Sequence, residues 1–184
     1  MTSPEPTIES KQIYQGRVVS LRVDTVRLPD GSVTSREVVE TRDAVAIVPV
    51  DSKGQVILVK QYRKPPELTM LEVPAGGVEE GEEPVACAVR ELQEETGYSA
   101  SKMEPLASFF MSPGFCTEMM HAFLATGLVA GQPRTEADEN IEVVTVPLGS
   151  VQEMIQHGDI RDSKSIVSLL LVLERMRGKD QTVL

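Results

Sequence analysis

Basic residues are scarce, with 18 Lys and Arg against 28 Asp and Glu, a formal charge of −10 over 184 residues. A surface of that sign has few cations with which to displace the counterions of nucleic acid or to meet an anionic membrane, so neither is expected as a partner. Cysteine occurs only at Cys87 and Cys116, with no CxxC pair or ligand-like spacing. A disulfide scaffold is therefore not expected, and both thiols read as reduced structural residues. The two histidines, His121 in a strand-like run and His157 beside Gly158, have no partner pattern and read as structural too. No apolar run approaches the roughly 20 residues of a membrane span. The opening "MTSPEPTIES" has neither the basic nor the apolar segment of a secretion signal, so a cytoplasmic location is expected.

What is present describes an ordinary globular chain, 41% hydrophobic and 25% charged, which suits one main domain and names no function. "GRVVSLRVDTVRL" and "VTSREVVE" read as strands joined by the turn "PDGS", a small N-terminal antiparallel sheet. "AVAIVPV" and "QVILVKQY" flank "DSKG" and read as a hairpin that begins the main sheet. "MEPLASFFM", "MMHAFLA" and "IEVVTVPL" are further strand candidates, whereas "SVQEMIQHG" and "SKSIVSLLLVLERM" carry helical spacing. The expected class is α/β, with helices packed on a mixed, largely antiparallel sheet. Met119 and Met120 read as core and edge packing.

The most informative stretch is "AGGVEEGEEPVACAVRELQEETGY", Ala75 to Tyr98. Pro84 suits the first turn of a helix and Gly97 the left-handed position just past its end. Between them Val85, Ala88, Val89 and Leu92 form an apolar stripe, with Glu91, Glu94 and Glu95 on another face. Glu91 and Glu95 are one turn apart, where like charges repel by a few tenths of a kcal/mol, roughly 0.2–0.5. A hard divalent cation, which prefers oxygen ligands and shares them with phosphate, would reverse that cost. A solvated acidic face is the other reading of the helix taken alone.

The wider spacing resembles a known signature. Gly76, five residues, Glu82, seven residues and then "RELQEETGY" from Arg90 to Tyr98 match the Nudix box, with Tyr98 where the family usually has an aliphatic residue. The flanks "VKQYRKPPELTMLEVPAG" and "MSPGFCTEMMHAFLA" resemble the ADP-ribose pyrophosphatase branch, in which a proline about sixteen residues past the box is a marker, and Pro113 stands there. The resemblance implies a Nudix α/β/α sandwich over 42–184, a small antiparallel sheet over 1–41, and metal-dependent hydrolysis of ADP-ribose to AMP and ribose 5-phosphate. Another nucleotide sugar such as GDP-mannose, a dinucleotide, or a non-hydrolytic ADP-ribose sensor are the alternatives.

The same resemblance implies the site. Glu91 and Glu95 are expected as metal carboxylates, Glu94 as a further ligand or water-mediated contact, and Ala75 as a donor through its carbonyl. The cofactor is expected to be Mg²⁺, with Mn²⁺ as the alternative, two or three ions per site. Glu82 would touch metal-bound water or steady the loop, and Arg90 would orient the glutamates. Gly76, Gly77 and Gly81 would let the backbone bend and approach the pyrophosphate. In the loop "TEADENIEV", Glu139 matches an additional metal-binding or catalytic glutamate, with Glu136 and Asp138 as candidate bases beside Ala137. Arg63 is expected at the substrate phosphate, Glu72 near the adenine or terminal ribose, Arg36 and Tyr14 in an adenine pocket, and Ser112, Pro113 and Gly114 near the terminal ribose. Relatives of this branch imply a homodimer whose N-terminal sheets exchange across the interface.

Overall fold

The computed structural model describes residues 3–132 and 140–180. They divide into two compact units, and the first takes in the residues up to Asp43 together with Phe110–Met119. It is built on a three-stranded antiparallel meander, β1 (Thr7–Gln15), β2 (Ser20–Arg27) and β3 (Val33–Glu40), in that order. Gly31 turns β2 into β3 with φ of +87°, a conformation cheap only for glycine, while Asp30 accepts the Ser32 amide at 2.9 Å. Nothing in the sequence pattern marks strand β1. All nine of its residues are exposed, so no inside-outside alternation marks it. Its ladder to β2, from Thr7 opposite Val26 to Gln15 opposite Ser20, is what makes it a strand. Asp24 on β2 is buried and takes hydrogen bonds from Ser10 at 2.6 Å and Arg22 at 3.1 Å, which hold its carboxyl below its ordinary range. The segment 110–119 docks on β3 through backbone bonds from Val39 to Phe115 and from Thr117 to Val39.

The second unit, Ala44–Phe109 with residues from Met120 onward, holds two sheets. Strands β4 (Ala44–Pro49), β7 (Ala75–Gly77), β8 (Tyr98–Phe110) and β9 (Met119–Ala130) form one, ordered β7-β4-β9-β8, with β4 parallel to β9 and antiparallel to β7. Strands β5 (Gln55–Arg63), β6 (Leu68–Glu72) and β10 (Ile141–Pro147) form the other, antiparallel and ordered β10-β5-β6. This corrects the expected hairpin. β4 and β5 are joined by the turn Asp51–Gly54 but lie in different sheets and share no ladder, with an isolated bridge between Val50 and Val56 beside the turn. Every residue of β4 is buried, so its sequence carries no alternation from which a partner could be read. Both of its edges are taken, by β7 and β9.

Three helices complete the unit, α1 (Pro84–Thr96), α2 (Val151–His157) and α3 (Ser163–Asp180). α1 packs on β4 and β7, and α3 packs on β4 as well. Alternate residues Val45 and Ile47 join Phe123, Ala125, Cys87, Ala88 and Leu92 in one core cluster, while Ala44, Ala46 and Val48 are buried too, so both faces of β4 are covered. The apolar stripe of α1 is narrower than its sequence suggests. Ala88 and Leu92 are buried, but Val85 and Val89 are 46% and 45% exposed, and Cys87 takes the inner flank instead. Val89 falls just outside the arc through Ala88, Leu92, Glu95 and Thr96, whereas Val85 shares the face of Leu92 but stands in the first turn of the helix. Gly97 ends α1 at φ +76° and donates to the Gln93 carbonyl. Among the described residues no helix is long and apolar enough to cross a membrane.

Leu92→Ala removes a wholly buried side chain from the cluster that seats α1, and is expected to lower unfolding free energy by about 2–5 kcal/mol. Urea titration checks this, and a loss under about 1 kcal/mol would mean that α1 is held by something other than this packing.

Candidate active site

The loop between β7 and α1 and the first three turns of α1 converge on the guanidinium of Arg90. Arg90 Nε and Nη2 each donate to Glu82 at 3.0 Å, a two-pronged pair. Nη1 donates to Glu91 at 2.7 Å and to Glu94 at 3.0 Å, and Nη2 also reaches the Gly77 carbonyl at 3.2 Å. Repulsion between carboxylates one turn apart costs about 0.2–0.5 kcal/mol, whereas a hydrogen bond to a charged group contributes roughly 1.5–3 kcal/mol before screening. Partial exposure reduces the second figure, yet one guanidinium satisfying three carboxylates still outweighs the repulsion. Glu82 also accepts the Glu79 amide at 3.0 Å, and Gly81 supplies the left-handed turn between them at φ +78°. The Arg90 hydrogen bonds, followed by that amide, bring the Glu82 pKa down to about 2. Cys87 sits beneath, donating to the Gly77 carbonyl at 3.4 Å, and burial pushes its thiol up to about 12, so it stays protonated.

Two glutamates lie against the backbone of β7. A Cβ added at Gly76 would overlap the carboxylate of Glu91, so glycine there is a matter of space for that side chain. Glu95 is only 4% exposed and accepts the Ala75 amide at 3.0 Å. The sequence pattern placed Glu91, Glu94 and Glu95 on one acidic face, but Glu95 is turned inward from the rim that holds Glu94. Among the described residues no group of three His, Cys, Asp or Glu side chains stands ready around one point as a metal site. The donor set nonetheless fits a hard divalent cation, because it consists of carboxylate oxygens crowded beside the Ala75–Gly77 backbone, with the Gly76 cradle admitting Glu91 to the chain.

A second charged cluster surrounds Glu72, which is 1% exposed on β6. Arg63 grips it through Nε at 3.0 Å and Nη2 at 2.7 Å, and Lys164 Nζ donates to the same carboxylate and to Asp162 at 2.9 Å. Burial alone would raise the Glu72 pKa, but the Arg63 hydrogen bonds and the Lys164 charge outweigh it and hold the group ionised. Arg63 is raised, chiefly by Glu72, with the charges of Glu95 and Asp162 contributing. Lys164 and Asp162 did not emerge from the sequence. Lys164 lies 92 positions from Glu72, and a lysine in the first turn of an amphipathic helix carries no signal of a buried role.

The remaining expected residues are members of neither hydrogen-bonded cluster. Arg36 lies on β3 of the first unit and is paired with Glu5 by two bonds of 2.9 Å. Tyr14 is exposed on β1, and Ser112, Pro113 and Gly114 belong to the turn that docks on β3. His121 is paired with Ser108 at 2.8 Å through Nδ1, and His157 sits in the last turn of α2. Glu136, Ala137, Asp138 and Glu139 lie outside the described residues.

The depressed Glu82 pKa makes stability depend on acid. The contribution of the Glu82–Arg90 pair is complete above the ordinary value of 4.5 and is lost as pH falls through about 2. Glu82→Gln is therefore expected to be less stable than the parent at pH 6 and to approach it towards pH 2. Urea midpoints at several pH values would show the gap closing, and a constant gap would deny the pair any proton-linked contribution.

The Nudix domain model matches residues 40–168, and the nucleoside diphosphate sugar hydrolase N-terminal domain model matches 5–39. The ADP-ribose pyrophosphatase of Bacillus subtilis (strain 168) is 42% identical over 167 residues, 90% of each chain. The methanol dehydrogenase activator of Bacillus methanolicus is 41% identical over 167 residues, again 90% of each. A crystal structure of an ADP compounds hydrolase superposes with a TM-score of 0.89 over 97% of both chains at 23% identity, a likeness of fold. With the box glutamates gathered around Arg90 and the model match covering well over half of its length, the chain belongs to the Nudix family.

Proposed function

We propose that this chain hydrolyses the pyrophosphate of ADP-ribose, water attacking one phosphorus while the bridging phosphorus–oxygen bond breaks, to release AMP and ribose 5-phosphate. The observation that carries the reading is the set of carboxylates drawn together by Arg90 beside the Gly76 cradle, and the 42% identity to an ADP-ribose pyrophosphatase supports the choice of substrate. Glu91, Glu94, Glu95 and the Ala75 carbonyl would hold Mg²⁺, with Mn²⁺ as the alternative and two or three ions per site. Bound there, the ions supply positive charge to the pyrophosphate and acidity to water. Arg90 orients Glu91 and Glu94, and Glu82 steadies the loop through the Glu79 amide. Arg63 and Gly77 meet the phosphates, and Glu72, expected near the adenine or terminal ribose, is buried in the grip of Arg63 and Lys164 and acts instead by fixing Arg63. The attacking water gives its proton to a carboxylate of the segment that carries Glu136 and Glu139. The roles of Arg36, Pro113 and Gly114 in binding the nucleoside and ribose belong to the same reading, as do the division of the chain at residue 41 and a cytoplasmic location.

A homodimer in which N-terminal sheets exchange is also proposed. Ile8, Ile13 and Tyr14 of β1 are 50%, 50% and 58% exposed, apolar surface that a second copy would cover. Sedimentation is expected to return about twice the 20.1 kDa chain mass, and a monomer at micromolar concentration would refute the pairing.

The test of function is product-resolved hydrolysis of ADP-ribose, ADP-glucose, GDP-mannose and NADH, with Mg²⁺ and with chelator. ADP-ribose is expected to turn over fastest, to AMP and ribose 5-phosphate, and only with metal. Preference for another member of the panel would replace the substrate but keep the chemistry, and tight ADP-ribose binding without turnover would favour a sensor. Glu95→Gln keeps the size of a buried ligand and deletes its charge, so kcat is expected to fall by about 10²-fold or more with the fold retained; near-normal turnover at saturating metal would remove Glu95 from the metal.

A further inference from the structure

Two basic and two acidic side chains share the cluster around Glu72, and their exposure is unequal. The side chains of Glu72, Lys164 and Asp162 are 2%, 12% and 14% exposed, whereas Arg63 is 37% exposed. Arg63 is thus the member able to meet a ligand, and Nε and Nη2, the nitrogens bonded to Glu72, leave Nη1 outside that grip. Lys164 reaches Glu72 from the first turn of α3, where Asp162 also accepts the Ser165 amide at 3.1 Å and Ser165 Oγ accepts the Val73 amide at 2.8 Å. The same few residues therefore set the counter-ion of Arg63 and anchor the chain just before Ala75.

We propose that Lys164 is a positioning residue for Arg63: its ammonium, between the Glu72 and Asp162 carboxylates, keeps the four-charge cluster neutral and holds Glu72 as the fixed counter-ion that aims the guanidinium at an anionic substrate. This rests on the reading that Arg63 meets the pyrophosphate. Without Lys164 the cluster carries one net negative charge. Arg63 is then drawn back towards two carboxylates and away from a phosphate in front of it. The loss affects ground state and transition state alike, because the phosphates bear negative charge in both, so it falls on KM rather than kcat.

The test is steady-state hydrolysis of ADP-ribose with Mg²⁺ by the full chain, with melting temperature measured alongside. Lys164→Met is expected to raise KM about tenfold with kcat within about threefold. Lys164→Arg, which keeps the charge, and the double variant Lys164→Met with Asp162→Asn, which restores neutrality, are expected to recover most of the KM. On an Arg63→Ala background, Lys164→Met is expected to change KM less than about twofold. An unchanged KM in Lys164→Met, or a full additional rise on the Arg63→Ala background, would overturn the role. If Lys164→Met does not fold, failure of the charge-restored double variant to recover KM would do the same. An unchanged KM in Arg63→Ala alone would remove Arg63 from the phosphate contacts, and this role of Lys164 with it. A raised KM in Arg63→Ala beside an unchanged Lys164→Met overturns the Lys164 role by itself.

Discussion

One guanidinium against three carboxylates is the constraint on which the site depends. Glu82 in the loop before α1 and Glu91 and Glu94 within the helix would repel one another, and Arg90 answers all three while also reaching the Gly77 carbonyl. The arrangement joins the loop before α1 to the helix itself, so the turn at Gly81 and the side-chain positions on α1 are set together. It also leaves the group net negative, three carboxylates to one cation, with the buried Glu95 alongside. Negative charge concentrated by geometry is what a hard cation requires.

The Glu72 cluster has the opposite character. Its charges balance, it is mostly buried, and it ties β6 to the start of α3. A buried carboxylate of this kind is tolerable only because both basic partners are present, since removing one strands the other charge away from water. The two clusters are electrically in reach of each other, because the charge of Glu95 contributes to the raised pKa of Arg63. An acidic centre made for cations thus lies within the influence of an arginine suited to anions, a combination that matches a metal-complexed pyrophosphate.

How much of this was legible in the sequence differs from residue to residue. The span of α1 was, because Pro84 and Gly97 act locally and the helix closes where they stand. Val85 and Val89 misled, since periodicity gives an apolar arc but not how far round it, or how far towards the end of the helix, the core extends. Strand β1 was invisible because nothing in it is buried, and the β4–β5 hairpin was misread because a strand covered on both faces advertises no register. Glycine at position 76 read as a turn residue, but its reason is the carboxylate of Glu91 lying where a side chain would be.

By itself the sequence determined the family spacing from Gly76 to Tyr98, the acidic helix and the ends of that helix, all of which depend on residues near one another along the chain. Tertiary structure alone decided that Glu95 turns inward to the Ala75 amide, that Arg90 gathers Glu82 with Glu91 and Glu94, and that Lys164 reaches Glu72 from 92 positions away. Those outcomes depend on which side chains packing excludes from water, and a buried charge takes its partner from whatever the fold brings near, whatever the distance in sequence.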